Sequence, residues 1–146
     1  MKFVFPTSKT KHYRFPTHTN NLVLDRAEAE TSEVFVVVLE PGEAPPFHKH
    51  DDTEQIFYIL EGRGFLRVAA NKKPLSVRPG DVVRIPPLMF HSIRCAGKRP
   101  LTYLAIDCFI RGRPKAEPTW DSHARVLCKQ NGWKYEQVVK PGRHKK

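Results

Sequence analysis

Cysteine is scarce in this chain. Cys95, Cys108 and Cys128 are odd in number and scattered, with no Cys-x-x-Cys spacing. That excludes a disulfide framework and fits the reduced thiols of a cytoplasmic protein, with Cys95 and Cys108 as core fillers. Long apolar runs are missing as well, so no segment is expected to span a bilayer, and the run before Pro6 is too short for a signal peptide. No internal repeat is visible, and neither a helix-turn-helix pattern nor an aromatic-bearing RNA motif is found. Acidic residues are absent from the two ends: residues 1–24 and 140–146 each carry four Lys/Arg and no Asp or Glu. The remaining body holds seventeen basic against fifteen acidic residues, a balance of +2, so most of the net charge of +10 resides in the ends. Such tails are ordinarily solvated, and no nucleic-acid partner is expected.

What is abundant is punctuation. Thirteen prolines and eight glycines separate short runs rich in Val, Ile, Phe, Leu and Tyr, the pattern of an all-β chain. Strands are expected at 21–26, 33–40, around His48 and His50, and at 55–60, 65–69, 75–78, 81–85, 90–94 and 101–110. After Ile110 the character changes. Thr119 offers a cap, Asp121 an early acid and Gly132 a stop, so a helix is predicted between them. Its Trp120, Ala124, Leu127 and Cys128 share one side, a packing face. The organisation is one domain: an extension with the first strand or strands (1–32), a core (33–113), and a helix with a basic tail (114–146).

The densest information lies in Gly42-Glu-Ala-Pro-Pro-Phe-His48-Lys-His50-Asp-Asp-Thr-Glu54-Gln55-Ile-Phe-Tyr-Ile-Leu-Glu-Gly62. Two histidines one residue apart project to the same side of an extended chain. Convergent imidazoles suit a metal ion that also takes a nearby oxygen or nitrogen donor. Glu54 and Gln55 both stand at a distance to supply it, and Gly80-Asp-Val-Val-Arg-Ile-Pro86-Pro-Leu-Met-Phe-His91 adds a further imidazole. His12, His18 and His144 have no partner at ligand spacing and read as bystanders. His123 reads as structural or solvated.

These two blocks resemble the two motifs of the cupin superfamily. The first matches at Gly42, His48, His50 and Gly62, the second at Gly80, Pro86 and His91, over roughly residues 33–110. The resemblance implies a single-domain jelly-roll β-barrel, here with a C-terminal α-helix, a homodimer, and one divalent transition metal (Zn, Ni, Mn or Fe). Counting back from Gly62, the motif's acid position falls on Gln55, and strand register favours it over Glu54, because a one-residue slip reverses every side chain. A neutral amide leaves the cation its full charge, a stronger Lewis acid than a carboxylate-ligated ion. Two departures bear on the turn before His91: Leu88 stands where the family has glycine, and Cys95 where it has asparagine. A different turn shape is expected there.

In the run Tyr103-Leu-Ala-Ile-Asp107-Cys-Phe109-Ile-Arg-Gly-Arg113, alternation places Tyr103, Asp107 and Phe109 on one face. Together with Gln55, this segment resembles the small cupins that convert unsaturated uronates. That resemblance implies Asp107 as acid/base, Phe109 as a ring platform and Arg113 as a carboxylate clamp; Tyr103 on the same face is read as a further substrate contact, and Arg94, near His91, as another group that could hold a carboxylate. Three readings follow: a metal-dependent enzyme acting on a small anionic (carboxylate or sugar-acid) substrate by Lewis-acid and acid/base chemistry, a non-haem dioxygenase, or a non-catalytic ligand-binding module.

Overall fold

A computed structural model of the chain describes residues 1–139; the basic segment 140–146, with His144, lies outside the described residues. Nine strands are followed by a helix: β1 (Lys11–Phe15), β2 (His18–Leu24), β3 (Ser32–Leu39), β4 (Thr53–Glu61), β5 (Arg63–Val68), β6 (Leu75–Val77), β7 (Val82–Ile85), β8 (His91–Ala96), β9 (Leu101–Phe109) and α1 (Trp120–Asn131), with a short α2 (Tyr135–Val138). They form a six-stranded sheet ordered β1-β2-β3-β9-β4-β7 and a three-stranded sheet ordered β6-β5-β8. All the pairings are antiparallel. Among the described residues no ladder joins the two sheets, so the expected jelly roll is present with its barrel left open between them.

Alternation decides what lies inside. In β9, Leu101, Tyr103, Ala105, Asp107 and Phe109 are buried while the residues between them are half-exposed. In β4 the inward set is Thr53, Gln55, Phe57 and Ile59. The core they enter is built on fully buried Phe15, Leu39, Ile59, Ile85 and Leu101. The β4–β5 turn needs Gly62: its φ is +81°, and a Cβ there would stand 2.2 Å from the Pro100 carbonyl oxygen.

α1 starts and stops where its sequence signals lie. Thr119 and Ser122 form a reciprocal capping box, and Gly132 closes the helix at φ 69°. Trp120, Ala124 and Cys128 pack inward. The helix entry is fastened to the barrel by three bonds. Trp120 N–H donates to Asp25 (3.0 Å), Arg26 to the Glu117 carbonyl (3.0 Å), and Tyr13 O–H to Asp121 (3.1 Å).

Three expectations are corrected. No strand runs through His48 and His50: Pro45 and Pro46 have no N–H to donate, and only an isolated bridge pairs His48 with His91. β1 was not anticipated, because its polar residues sit beside only two buried aromatics, Tyr13 and Phe15. The turn before His91 keeps the shape that glycine would give it, since Leu88 adopts φ 69° in the family's glycine place. From there its N–H donates to the His50 carbonyl at 2.7 Å.

Candidate metal centre

Three loops and strands bring the imidazoles together. His48 and His91 exchange backbone hydrogen bonds (3.1 and 2.8 Å), which sets both rings at one end of the sheets. The ligand atoms of His48, His50 and His91 lie within 4.8 Å of one another. His48 Nε2 and His50 Nε2 are 3.1 Å apart, close to the ~3.0–3.5 Å expected for two nitrogens on one ion at metal–nitrogen bonds of about 2.0–2.1 Å.

The tautomers follow from the partners. His48 Nδ1 faces the Pro46 carbonyl at 2.5 Å, and His91 Nδ1 faces the Met89 carbonyl at 2.9 Å. A carbonyl only accepts, so His48 Nδ1 carries the hydrogen and its Nε2 is a lone pair; with its hydrogen on Nδ1, toward Met89, His91 also turns a lone-pair Nε2 inward. Burial keeps these rings neutral. It lowers His48, pushes His50 down to about 3 with help from the neighbouring imidazoles, and pushes His91 down to about 4.

Gln55 stands beside the three imidazoles. Its Oε1 is 2.9 Å from His91 Nε2, and its Nε2 donates to Asp107 at 2.8 Å. With the amide N–H committed to Asp107, the Gln55 oxygen turns its lone pairs toward His91 Nε2, and in the His91 tautomer with its hydrogen on Nδ1 the two atoms together present lone pairs that a cation would satisfy. These residues fit a metal ion. Glu54, the rival donor, points the other way and pairs with Arg84 at 2.8 Å on the outer face of the sheet.

Behind Gln55 runs a buried polar row across three strands. Register pairs Gln55 with Asp107 and Asp107 with Glu33. Arg26 clamps Glu33 with two bonds, 2.7 and 2.9 Å. Burial raises both carboxyls; Asp107 raises Glu33 further, to about 9, while hydrogen bonds from Glu33 and Gln55 act to lower Asp107. Two carboxyls and one guanidinium out of water hold one proton between them, shared by the Glu33–Asp107 pair.

A cavity of about 580 Å³ opens from the histidines, lined on the barrel side by Phe35, Phe57, Ile93 and Tyr103 and on the helix side by Trp120 and His123. Of the residues singled out by sequence, His48, His50, Gln55, His91, Tyr103 and Asp107 border it. Phe109 does not; it faces a smaller chamber, and the Arg26 guanidinium lies 4.9 Å over its ring. Arg113 is corrected as a clamp: it is exposed, and its guanidinium is held by the Ala29 carbonyl at 2.6 Å. Arg94 is also exposed and sits over Phe65. The arginine at the cavity is Arg111.

Two histidines set aside on sequence also border the cavity. His18 is buried, stacked on Phe15 at 4.9 Å, and pushed down to about 3 by burial. His123 reaches it from α1. Neither has a spacing signal, because each is delivered by an element that the motifs do not cover. His12 is exposed and bonded to Asn21.

A two-sheet antiparallel jelly roll with three convergent imidazoles at one end defines a cupin-type metal-site scaffold. The cupin domain family matches residues 35–107, half of the chain, and the chain belongs to that family. It is 39% identical over 67 residues to an uncharacterized protein of Methanocaldococcus jannaschii, covering 46% of this chain and 52% of that protein. It is 35% identical over 68 residues to the oxalate-binding protein of Thermotoga maritima, covering 47% and 54%. The chain thus spans about half the length of the curated relatives it matches. In structure it resembles a predicted oxalate decarboxylase of Thermotoga maritima, with a TM-score of 0.66 at 24% identity over 73% of this chain and 99% of the other. At that identity the likeness speaks for the fold alone.

Proposed function

We propose that this cupin binds one divalent transition metal through His48, His50, His91 and Gln55 and acts on a small carboxylate-bearing molecule, a sugar acid among the candidates. The observation that carries the reading is the convergence of the His48, His50 and His91 ligand atoms within 4.8 Å of one another, with the Gln55 amide oxygen 2.9 Å from His91 Nε2. The chemistry a cation supplies to such a neutral donor set is strong Lewis-acid polarisation of a bound oxygen. The chain's own residues do the rest. Asp107 orients Gln55 and shares with Glu33 a proton that the pair can give to or recover from a ligand, with Arg26 stabilising the charge left behind. Arg111 at the cavity supplies positive charge for an anion, while Lys49 is paired with Asp51 at 3.4 Å.

A second reading, a binding module without turnover, is favoured by one comparison, the relative described as oxalate-binding. The outward face of the six-stranded sheet supports the homodimer. Val36, Leu104, Tyr58 and Val82 form one apolar row across it, and its nearest charges, Glu54 and Arg84, neutralise each other. Three free thiols fit a cytoplasmic setting.

The test is titration of the Co(II)-loaded protein with a panel of carboxylates, read by visible absorption. A shift of the cobalt bands with saturation is expected. Bands that no carboxylate moves would remove the carboxylate reading.

A further inference from the structure

The His123–Glu117 pair brings two titratable groups to the cavity from outside both cupin motifs. His123 Nδ1 lies 2.7 Å from Glu117 Oε1. The His123 hydrogen bond holds the Glu117 carboxyl below its ordinary range, so it is ionised at neutral pH and can only accept. The ring hydrogen therefore sits on Nδ1, and Nε2 is the ring nitrogen left for another partner.

Its placement is fixed from several directions. Arg26 holds the Glu117 carbonyl, the Thr119–Ser122 box fixes the first turn, and the His123 ring packs 5.4 Å from Trp120. His123 borders the main cavity and also the small chamber shared by His50, Asp52 and Asp107, so it stands on the metal-site end of α1. Trp120 Nε1, buried beside it, has no hydrogen-bond partner among the described residues. A surface staple between residue 117 and the helix would need none of this convergence.

The volume and walls bear on the occupant. A cavity of about 580 Å³ lies in the range of roughly 300–1,000 Å³ that holds ligands well beyond a two-carbon acid. Phe35, Phe57, Tyr103 and Ile93 offer a largely apolar surface to a ring.

We propose that His123, positioned by Glu117, is a second recognition group of the cavity, and that its ligand is a cyclic or aromatic carboxylate bearing a hydroxyl that donates to His123 Nε2. This rests on the metal-centre reading above, which supplies the anchor for the carboxylate. Should the hydroxyl ionise, its proton moves to Nε2 and the imidazolium stands against the Glu117 carboxylate.

The full-length Co(II)-loaded protein is titrated with acetate, benzoate and the three hydroxybenzoates, and the cobalt bands are followed. Benzoate should bind more tightly than acetate. The best hydroxybenzoate should exceed benzoate by roughly tenfold, the scale of one buried hydrogen bond. In His123→Ala that hydroxyl gain should fall to about onefold, as for any single lost hydrogen bond. In Glu117→Gln, which retains the ring, the gain should shrink. A hydroxyl gain that survives in His123→Ala overturns the proposal, as does the lack of any gain in the wild type while benzoate still binds. If no carboxylate moves the bands, the carboxylate reading itself fails and this proposal falls with it.

Discussion

At the residue scale the donor set turns on one position of strand register. Gln55 faces inward beside Asp107, whereas Glu54 is spent on Arg84 at the surface. Gln55→Ala should therefore weaken metal binding by one to two orders of magnitude, the range roughly observed for supporting and ligating groups. Glu54→Ala should leave it within about twofold, as expected of an exposed ion pair. The reverse ranking in a metal titration would move the register by one residue. Gln55 was legible in the sequence because period two and its distance from Gly62 select it. His18 and His123 were not, since β2 and α1 bring them to the cavity only through tertiary packing.

The depressed imidazoles make a second prediction at the same scale. A histidine whose folded value lies below 6.5 stays neutral, and so able to bind a cation, down to that lower value. Between pH 7.5 and 5.5, three ordinary imidazoles would lose roughly a thousandfold in metal affinity to protonation. With His50 at about 3, His91 at about 4 and His48 lowered, the loss should stay below about tenfold. A fall near a thousandfold in a competition assay at pH 5.5 would show that the rings are accessible to protons in the way of exposed histidines.

At the element scale, β9 was readable and the loop before β4 was not. Alternation alone put Tyr103, Asp107 and Phe109 on the inner face. Arg113 failed because the chain has left the strand after Phe109, so period two no longer applies. The His48–His50 segment failed as a strand for a related reason: two prolines and a bend replace the ladder, and the bridge to His91 does the positioning. What no pattern revealed was the row Arg26–Glu33–Asp107, whose members come from three separate segments. Arg26→Met should cost about 3–5 kcal/mol, because it leaves buried acidic groups without their cation. Chemical denaturation checks this; a loss under about 1 kcal/mol would mean that water reaches the cluster.

At the scale of the whole molecule, the fold puts its polar chemistry at one end and an apolar sheet surface outside. Tyr58, Leu60 and Val82 are well exposed on that surface, and Val82 is 67% exposed. Hydrophobic rows of this extent are usually covered. Light scattering should give the mass of two chains, and Tyr58→Lys with Val82→Lys should reduce it to one. A monomer in the unmodified protein would leave the sheet face without its expected occupant. Among the described residues no helix is long and apolar enough to cross a membrane. The two basic ends were read from composition alone, and the second lies outside the described residues.

The central claim is that His48, His50, His91 and Gln55 hold a divalent metal. Elemental analysis of protein purified without a histidine tag, beside a His48→Ala/His91→Ala variant, tests it most directly. The account predicts close to one equivalent of a transition metal per chain in the natural sequence, and little in a variant that has lost two of its donors but still folds. A natural chain that carries no metal and takes up none when Zn, Ni, Mn or Fe is supplied, or a double variant that retains a full equivalent, would contradict it.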